Sequence, residues 1–337
     1  MAAVLRFSDM RFLLALLLPG LTLLNVSTRP EHAAVGAFII WAAVAAIDAW
    51  LPGADRSPAA ARSHPLLSWI LRLYVPLQFL ILAAGLVAAR NNDWPTVWAL
   101  AFAIGFVTGA QGITFAHELG HSRNRADRAL GWVLMTTVNY SHFMVEHYRG
   151  HHPRAATHED PATARRGESL WRFMPRTLAG SFASAWRLEA AQLKQWRKSW
   201  LASPLAWCLA FNVAFIGLLA IFGEFKMLVF WVAQSAFAVW LLETVNYIEH
   251  YGLQRAGVPG GKREPFGVEH AWNADHVLSN SLLANLQRHS DHHTQAWKRF
   301  PELEALPGPQ LPTGYAGCLL IAAIPPWWFA LMDRKIR

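Results

Sequence analysis

Residues 95–116, PTVWALAFAIGFVTGAQGITFA, form an apolar run that leads directly into His117-Glu-Leu-Gly-His121. A run of about 20 apolar residues is long enough to cross a hydrocarbon core of about 30 Å as a helix. The two histidines stand four residues apart at its end, so their imidazoles share one helical face about one turn apart and can chelate one metal. The stretch reads as a membrane span that ends in a metal-binding pair.

Five more apolar runs, at 10–27, 33–51, 66–89, 204–222 and 227–249, bring the expected number of spans to six. The whole composition agrees: 54% of the 337 residues are hydrophobic and only 15% are charged, unlike a soluble chain of this size. The first run follows Arg6 and Arg11 as a signal peptide would, but the second comes so soon after it that a membrane hairpin fits better. The expected architecture is an all-α integral membrane protein with six transmembrane helices and a cytoplasmic histidine-rich helical catalytic domain. Its parts are four spans in 1–116, a histidine-bearing basic section in 117–203, two spans in 204–249, and a C-terminal catalytic section in 250–337. The apolar run 314–332 is broken by Pro325 and Pro326 and ends in Arg334, Lys335 and Arg337. A seventh span would export that basic end, so a peripheral or re-entrant segment is expected.

Charge sets the expected orientation. Net charge is +8, and Arg165, Arg166, Arg172, Arg176, Arg187, Lys194, Arg197 and Lys198 crowd one connection between spans. The positive-inside rule places that connection in the cytoplasm, and with six spans both termini as well. The same residues can meet anionic headgroups. No nucleic-acid recognition motif accompanies them, which argues against such a partner. Cys208 and Cys318 both sit far apart in apolar runs, so a metal would be held by nitrogen or oxygen ligands rather than thiolates.

Three further histidine groups follow the first. Glu146-His147-Tyr-Arg-Gly-His151-His152 supplies three imidazoles within about one and a half turns, and His289-Ser-Asp-His292-His293 another three. His250 ends the sixth span. Nine imidazoles exceed the three or four that one zinc ion takes, so two metals are expected, although ligand type alone does not choose among zinc, copper, iron and nickel. His117-Glu118-x-x-His121 alone also matches the zinc-protease pattern, but that reading leaves the other groups without a purpose. A metal transporter fits less well, since ligands at one face trace no path across the membrane. His32, His64, His142, His158, His270 and His276 are read as ordinary histidines, with His270 and His276 near enough in sequence to support a ligand. Glu118, Glu146, Glu249 and Asp291 each adjoin a candidate ligand and could accept an outer ring N–H. Glu159-Asp160-Pro161 reads as a turn and cap before the next helix.

The chain resembles the membrane-bound alkane 1-monooxygenases, within the wider group of histidine-box fatty acid desaturases and hydroxylases. The resemblance rests on Asn246-Tyr-Ile-Glu-His-Tyr-Gly-Leu253, Leu286-Gln-Arg-His-Ser-Asp-His-His293, Glu146-His-Tyr-Arg-Gly-His-His152, and the tail Leu311-Pro-Thr-Gly-Tyr315 with Ile324-Pro-Pro326. It covers roughly 95–333. Ser122, Tyr148 and His158 stand where the family usually has Lys, Asn and Pro, beside the ligand positions. The resemblance implies iron as the metal, two ions, and ligation by His117, His121, His147, His151, His152, His250, His289, His292 and His293.

It also implies the chemistry: one atom of O₂ enters the terminal C–H bond of a medium-chain alkane and the other leaves as water. The bacterial cytoplasmic (inner) membrane is the implied location. No flavin fingerprint, haem attachment pattern or Cys-x-x-Cys pair is present, so electrons must come from another protein. The resemblance names rubredoxin, reduced by rubredoxin reductase, and the basic cytoplasmic surface around Arg197 and Lys198 suits an acidic carrier. A related histidine-box hydroxylase acting on alkylbenzene methyl groups or fatty acyl chains keeps all nine ligands and is the alternative.

Overall fold

The structure, a computed structural model, describes residues 7–51, 64–258 and 262–336. Four helices long and apolar enough to cross a membrane come first: α1 Ser8–Thr28, α2 Pro30–Trp50, α3 Leu67–Asn91 and α4 Trp94–His121. A polar section follows with α5 Arg125–Thr137, α6 at 143–154 and α7 Leu170–Gln195. Two more spans, α8 Pro204–Phe222 and α9 Phe225–His250, complete the set of six. The C-terminal section holds α10 Val277–Leu282, α11 His289–Thr294, α12 Tyr315–Ala322 and α13 Pro325–Met332. Among the described residues the one pair of strands is a two-residue antiparallel ribbon, Gly257–Val258 with Lys262–Arg263.

α4 is the central post. Within its most apolar stretch 83% is buried inside the protein, against 17% for α8, whose apolar side chains face outward as lipid requires. Its start is set by Asp93, which accepts from Thr96 N at 3.1 Å, with Pro95 in the first turn. Its packing against α9 depends on two glycines four residues apart. A Cβ on Gly105 would lie 2.7 Å from the Gln234 carbonyl oxygen, and one on Gly109 2.8 Å from Ala238 Cα. Small residues at this spacing let two membrane helices approach backbone to backbone.

Polar side chains tie the bundle where lipid offers no partner. Thr108 Oγ1 donates to Gln234 Oε1 at 3.1 Å, Gln78 Nε2 to Thr137 Oγ1 at 2.6 Å, and Gln111 Nε2 to the carbonyls of Ala15 and Leu282 at 2.9 and 3.1 Å. Midway along α4, Thr108–Ile113 widens into a π-helical turn. Such a turn disturbs the usual backbone ladder, and just before it Tyr74 Oη donates to the Val107 carbonyl at 3.1 Å.

The C-terminal apolar run divides at Ala323 and Ile324 into α12 and α13, each of eight residues. Neither half is long enough to cross a bilayer. Both are pinned to the bundle: Trp41 Nε1 on α2 donates to the Ala316 carbonyl at 2.9 Å, and Trp328 is fully buried. Asp48, buried near the end of α2, accepts from the Ser279 hydroxyl on α10. Span two is thereby fastened to the section that carries the last histidines.

Replacing Gly109 by valine would press a branched side chain into the Ala238 backbone. The expected result is a loss of about 1–3 kcal/mol, seen as a lower melting temperature of the purified protein together with reduced metal retention.

Candidate metal centre

All nine histidines of the four sequence groups converge at one end of the bundle. α4 supplies His117 and His121, α6 His147, His151 and His152, α9 His250, and α11 His289, His292 and His293. They sort into two sets. In the first, one ring nitrogen from each of His117, His121, His147, His152 and His292 lies within 4.8 Å of every other. In the second the same holds for His151, His250, His289 and His293. The sets adjoin, with the rings of His152 and His293 4.5 Å apart at their centres.

The short contacts are between Nε2 atoms: 3.0 Å for His117 and His292, 3.2 Å for His121 and His147, and 3.0 Å for His147 and His152. In the second set they are 3.2 Å for His151 and His293 and 3.1 Å for His250 and His289. Two nitrogens each about 2.1 Å from one ion, at about 90° to each other, stand about 3 Å apart. The spacing thus fits imidazoles around a cation. Burial first, and neighbouring imidazoles second, push His147, His289, His292 and His293 well below the usual histidine range. His152 moves the same way for the same reasons. Near neutral pH these rings are uncharged and present a lone pair, the state a metal needs.

The local winding of α6 decides which ring joins which set. His147–His151 forms a π-helical turn, so the i, i+5 pair His147 and His152 points to the first set. His151 turns to the second. Regular helical winding would bring His147 and His151 to one face, and the π turn is the reason that they part. In α11 the ordinary winding holds, with His289 and His293 in the second set and His292 in the first.

Of the four carboxylates that adjoin candidate ligands in sequence, Glu249 is the one that approaches a ligand's ring nitrogen, that of a histidine on another helix, without forming a hydrogen bond to it. Its Oε1 lies 3.1 Å from His289 Nδ1 and accepts from Tyr315 Oη at 2.6 Å. The others turn elsewhere: Glu118 accepts from Phe300 N, Glu146 from Arg154, and Asp291 from Lys298 and from Glu304 N. Asp160, read from sequence as part of a turn and cap, has a further task. Its Oδ2 lies 2.9 Å from His151 Nδ1 and accepts from Thr163 Oγ1 at 2.6 Å, while Oδ1 accepts from Ala162 N within the turn. The cap of the next helix belongs instead to Ser169. Burial alone would raise the Asp160 carboxyl, but the His151 ring and the Thr163 hydroxyl hold it down at about 2. His250 Nδ1 is 3.2 Å from the His270 carbonyl, so His270 supports a ligand ring through its backbone.

Ser122 donates to Asp127 and holds a turn; Tyr148 donates to the His117 carbonyl at 3.0 Å; His158 is exposed. Sequence adjacency could not separate these roles. Asp160 could have been noticed only as a carboxylate in a tight turn nine residues after His151.

An apolar cavity of about 90 Å³ reaches His117, His147 and His289 and runs between α2, α4, α9 and α12. Ile113, Leu242, Leu286 and Leu319 line its middle, and Trp41 and Phe106, stacked at 5.5 Å, stand in its wall. Phe106 precedes His117 by eleven residues, about 16 Å along a helix axis. The site is therefore a histidine-rich metal centre at the end of a membrane bundle, with a hydrocarbon-lined cavity leading to it.

That class has known members. The fatty acid desaturase family model matches residues 92–322. The alkane 1-monooxygenase of Ectopseudomonas oleovorans is 41% identical over 273 residues, covering 78% of this chain and 67% of the relative. Alkane 1-monooxygenase 2 of Pseudomonas aeruginosa is 41% identical over 277 residues, 78% of this chain and 71% of the relative. More distant is the hydroxylase component of a xylene/toluene monooxygenase from Pseudomonas putida, 29% identical over 241 residues, 69% of this chain and 63% of that protein. The chain belongs to the alkane 1-monooxygenase family, within the histidine-box fatty acid desaturase superfamily.

Asp160→Ala removes the partner that orients His151. Metal retention at the four-histidine set is expected to weaken about 10–100-fold in chelator competition, whereas Glu118→Gln, whose carboxamide oxygen can still accept from Phe300 N, leaves it near wild type.

Proposed function

We propose that the protein is a di-iron monooxygenase that hydroxylates the terminal carbon of medium-chain alkanes. The observation that carries this reading is the meeting of two imidazole sets with the end of a deep apolar cavity. The overall change is R–CH₃ + O₂ + 2e⁻ + 2H⁺ → R–CH₂OH + H₂O. Bound iron supplies the activation of O₂. His117, His121, His147, His152 and His292 would hold one ion, and His151, His250, His289 and His293 the other.

The protein's own residues position the hydrocarbon and exclude water. An alkane dissolved in the bilayer enters without crossing a polar surface, and leucine and isoleucine side chains hold it end-on toward His117 and His147. Trp41 and Phe106 stand in the cavity wall, Phe106 two turns and more before His117 on α4, which suits a chain of medium length. Asp160 and the His270 carbonyl hold ligand rings in place, and Glu249 lies beside His289. The basic section around 163–204 orients the metal centre toward the cytoplasm of a bacterial inner membrane, with both termini on that side. There it attracts rubredoxin, recharged by rubredoxin reductase. The likeness to the xylene/toluene enzyme component favours alkylbenzene methyl groups as a second substrate class; a fatty acyl chain would be a further variation on the same site.

Metal analysis of purified protein should find about two irons per chain; a single zinc without iron would end this reading. Membranes supplied with rubredoxin, its reductase and a mixture of alkanes and alkylbenzenes should yield primary alkanols first. In the same assay Trp41→Ala opens the far end of the cavity and should move the preference toward longer alkanes, while unchanged preference would remove Trp41 as the length-setting wall.

A further inference from the structure

Hydroxylation consumes two protons and releases one water, and an apolar cavity conducts neither well. Besides the open polar cleft that reaches His121, a small hollow borders His147. This chamber, with room for about one water molecule, lies between α6, α7 and α9. Its walls are mixed: Phe143 and Ala162 stand among Tyr140, Glu146, Ser181, Glu243 and Asn246, beside His147 and His151. Among the described residues the second carboxylate oxygen of Glu146, itself 3% exposed, has no hydrogen-bond partner. That orphaned oxygen in so small a chamber is where a bound water belongs.

Glu243 stands in the last third of α9, inside a membrane span and 1% exposed. A buried intramembrane carboxylate marks function by default. Tyr140 Oη donates to its Oε1 at 2.7 Å, while Thr177 Oγ1 and Asn246 Nδ2 donate to Oε2 at 2.8 and 3.1 Å. None of these bonds comes from a histidine of either set, and none from a cation. Across the chamber it faces Glu146, His147 and His151.

Polar side chains continue along α7 beyond the chamber. Thr177, Ser181 and Ser184 stand at i, i+4 and i+7 on the buried face of α7, where leucines would serve packing better. Ser184 Oγ accepts from Arg154 Nη2 at 2.9 Å, and the Arg154 side chain is 28% exposed.

We propose that this chamber is the proton path of the enzyme, with Glu243 as its proton-carrying residue. The inference rests on the hydroxylase reading above. Glu243 releases a proton to the chamber water, which passes it toward the space beside His147 and His151. The carboxylate is then reprotonated from solvent through water and the hydroxyls of Ser184 and Ser181, past Arg154, whose guanidinium stays charged and only donates to Ser184. Tyr140, Thr177 and Asn246 hold the carboxylate in both states by donating to it. Asn246 also lines the alkane cavity, so it marks the wall between the two kinds of traffic.

The test uses the full chain in native membranes and after purification. Glu243→Gln should keep wild-type metal content, lose roughly 100-fold in product formation, and divert donor electrons to peroxide with a larger solvent isotope effect. In zinc-loaded protein, which does not turn over, the infrared band of the protonated Glu243 carboxyl should vanish in Glu243→Gln. Its exchange with D₂O should slow severalfold in Ser181→Val, which closes the route on a different helix. Unchanged product formation in Glu243→Gln, product loss that only tracks metal loss, or unaltered exchange in Ser181→Val would each overturn the proposal. Absence of product from every hydrocarbon, with the infrared results as expected, would leave the proton path standing and remove the hydroxylase reading instead.

Discussion

The structure depends on one electrostatic problem: nine imidazoles, six of them buried, crowd together at the end of a helix bundle, with ring nitrogens as close as 3.0 Å. Protonated, neighbouring rings would repel at short range in a medium that screens poorly. Neutral, each Nε2 pair can share a single proton at most, and nine rings cannot all be satisfied by sharing. A cation removes both difficulties, because every inward lone pair then has a partner and no ring needs a charge. Folding of this end of the molecule and metal binding are thereby linked. The polar ties between spans, Gln78 to Thr137 and Gln111 to α1 and α10, hold the helices that must converge.

Helix winding then distributes the ligands. A regular α-helix brings i and i+4 to one face, and α4 and α11 use that rule for His117 with His121 and His289 with His293. In α6 a π turn shifts the pairing to i and i+5, leaving His151 to the other set. One short segment can therefore serve both sets, and its deviation from ordinary geometry has a chemical purpose. The π turn in α4, Thr108–Ile113, lies between the cavity's far wall at Phe106 and the ligand His117, where it resets the phase of the helix.

Much of this is legible in the sequence because lipid is an intolerant solvent. It forces long uninterrupted apolar runs, and all six spans lie where hydropathy puts them. The histidines are legible because imidazoles repeated at helical spacing, at the ends of apolar spans, serve metal ligation and little else. What composition and spacing do not reveal is which partner each ring has. Successive residues on a helix point about 100° apart, so the carboxylate next to a ligand in sequence faces away from it in space. Glu118, Glu146 and Asp291 do so, and Glu249 meets His289 rather than its neighbour His250. Asp160 reaches His151 only because a turn folds back on α6, and that contact is tertiary. Such pairings are decided by helix-to-helix contacts, which no local pattern contains.

The alkane cavity and the chamber meet at His147, Phe143 and Asn246, each of which lines both. This shared wall answers a conflict in the reaction. A hydrocarbon binds only where water is absent, since its affinity derives from apolar surface removed from solvent, yet the oxygen chemistry needs protons that travel through polar groups. A single mixed pocket would sacrifice one for the other: water in the cavity weakens alkane binding, and alkane in the chamber breaks the hydrogen-bonded path. Separate spaces beside the same metal centre avoid this, and the placement of polar residues supports it. α9 faces the alkane with Leu241, Leu242 and Val245, and faces the chamber with Glu243 and the boundary residue Asn246. One helix thus presents hydrocarbon to one side and hydrogen bonds to the other, and a glutamate is tolerated among its apolar neighbours because the side it faces is not lipid.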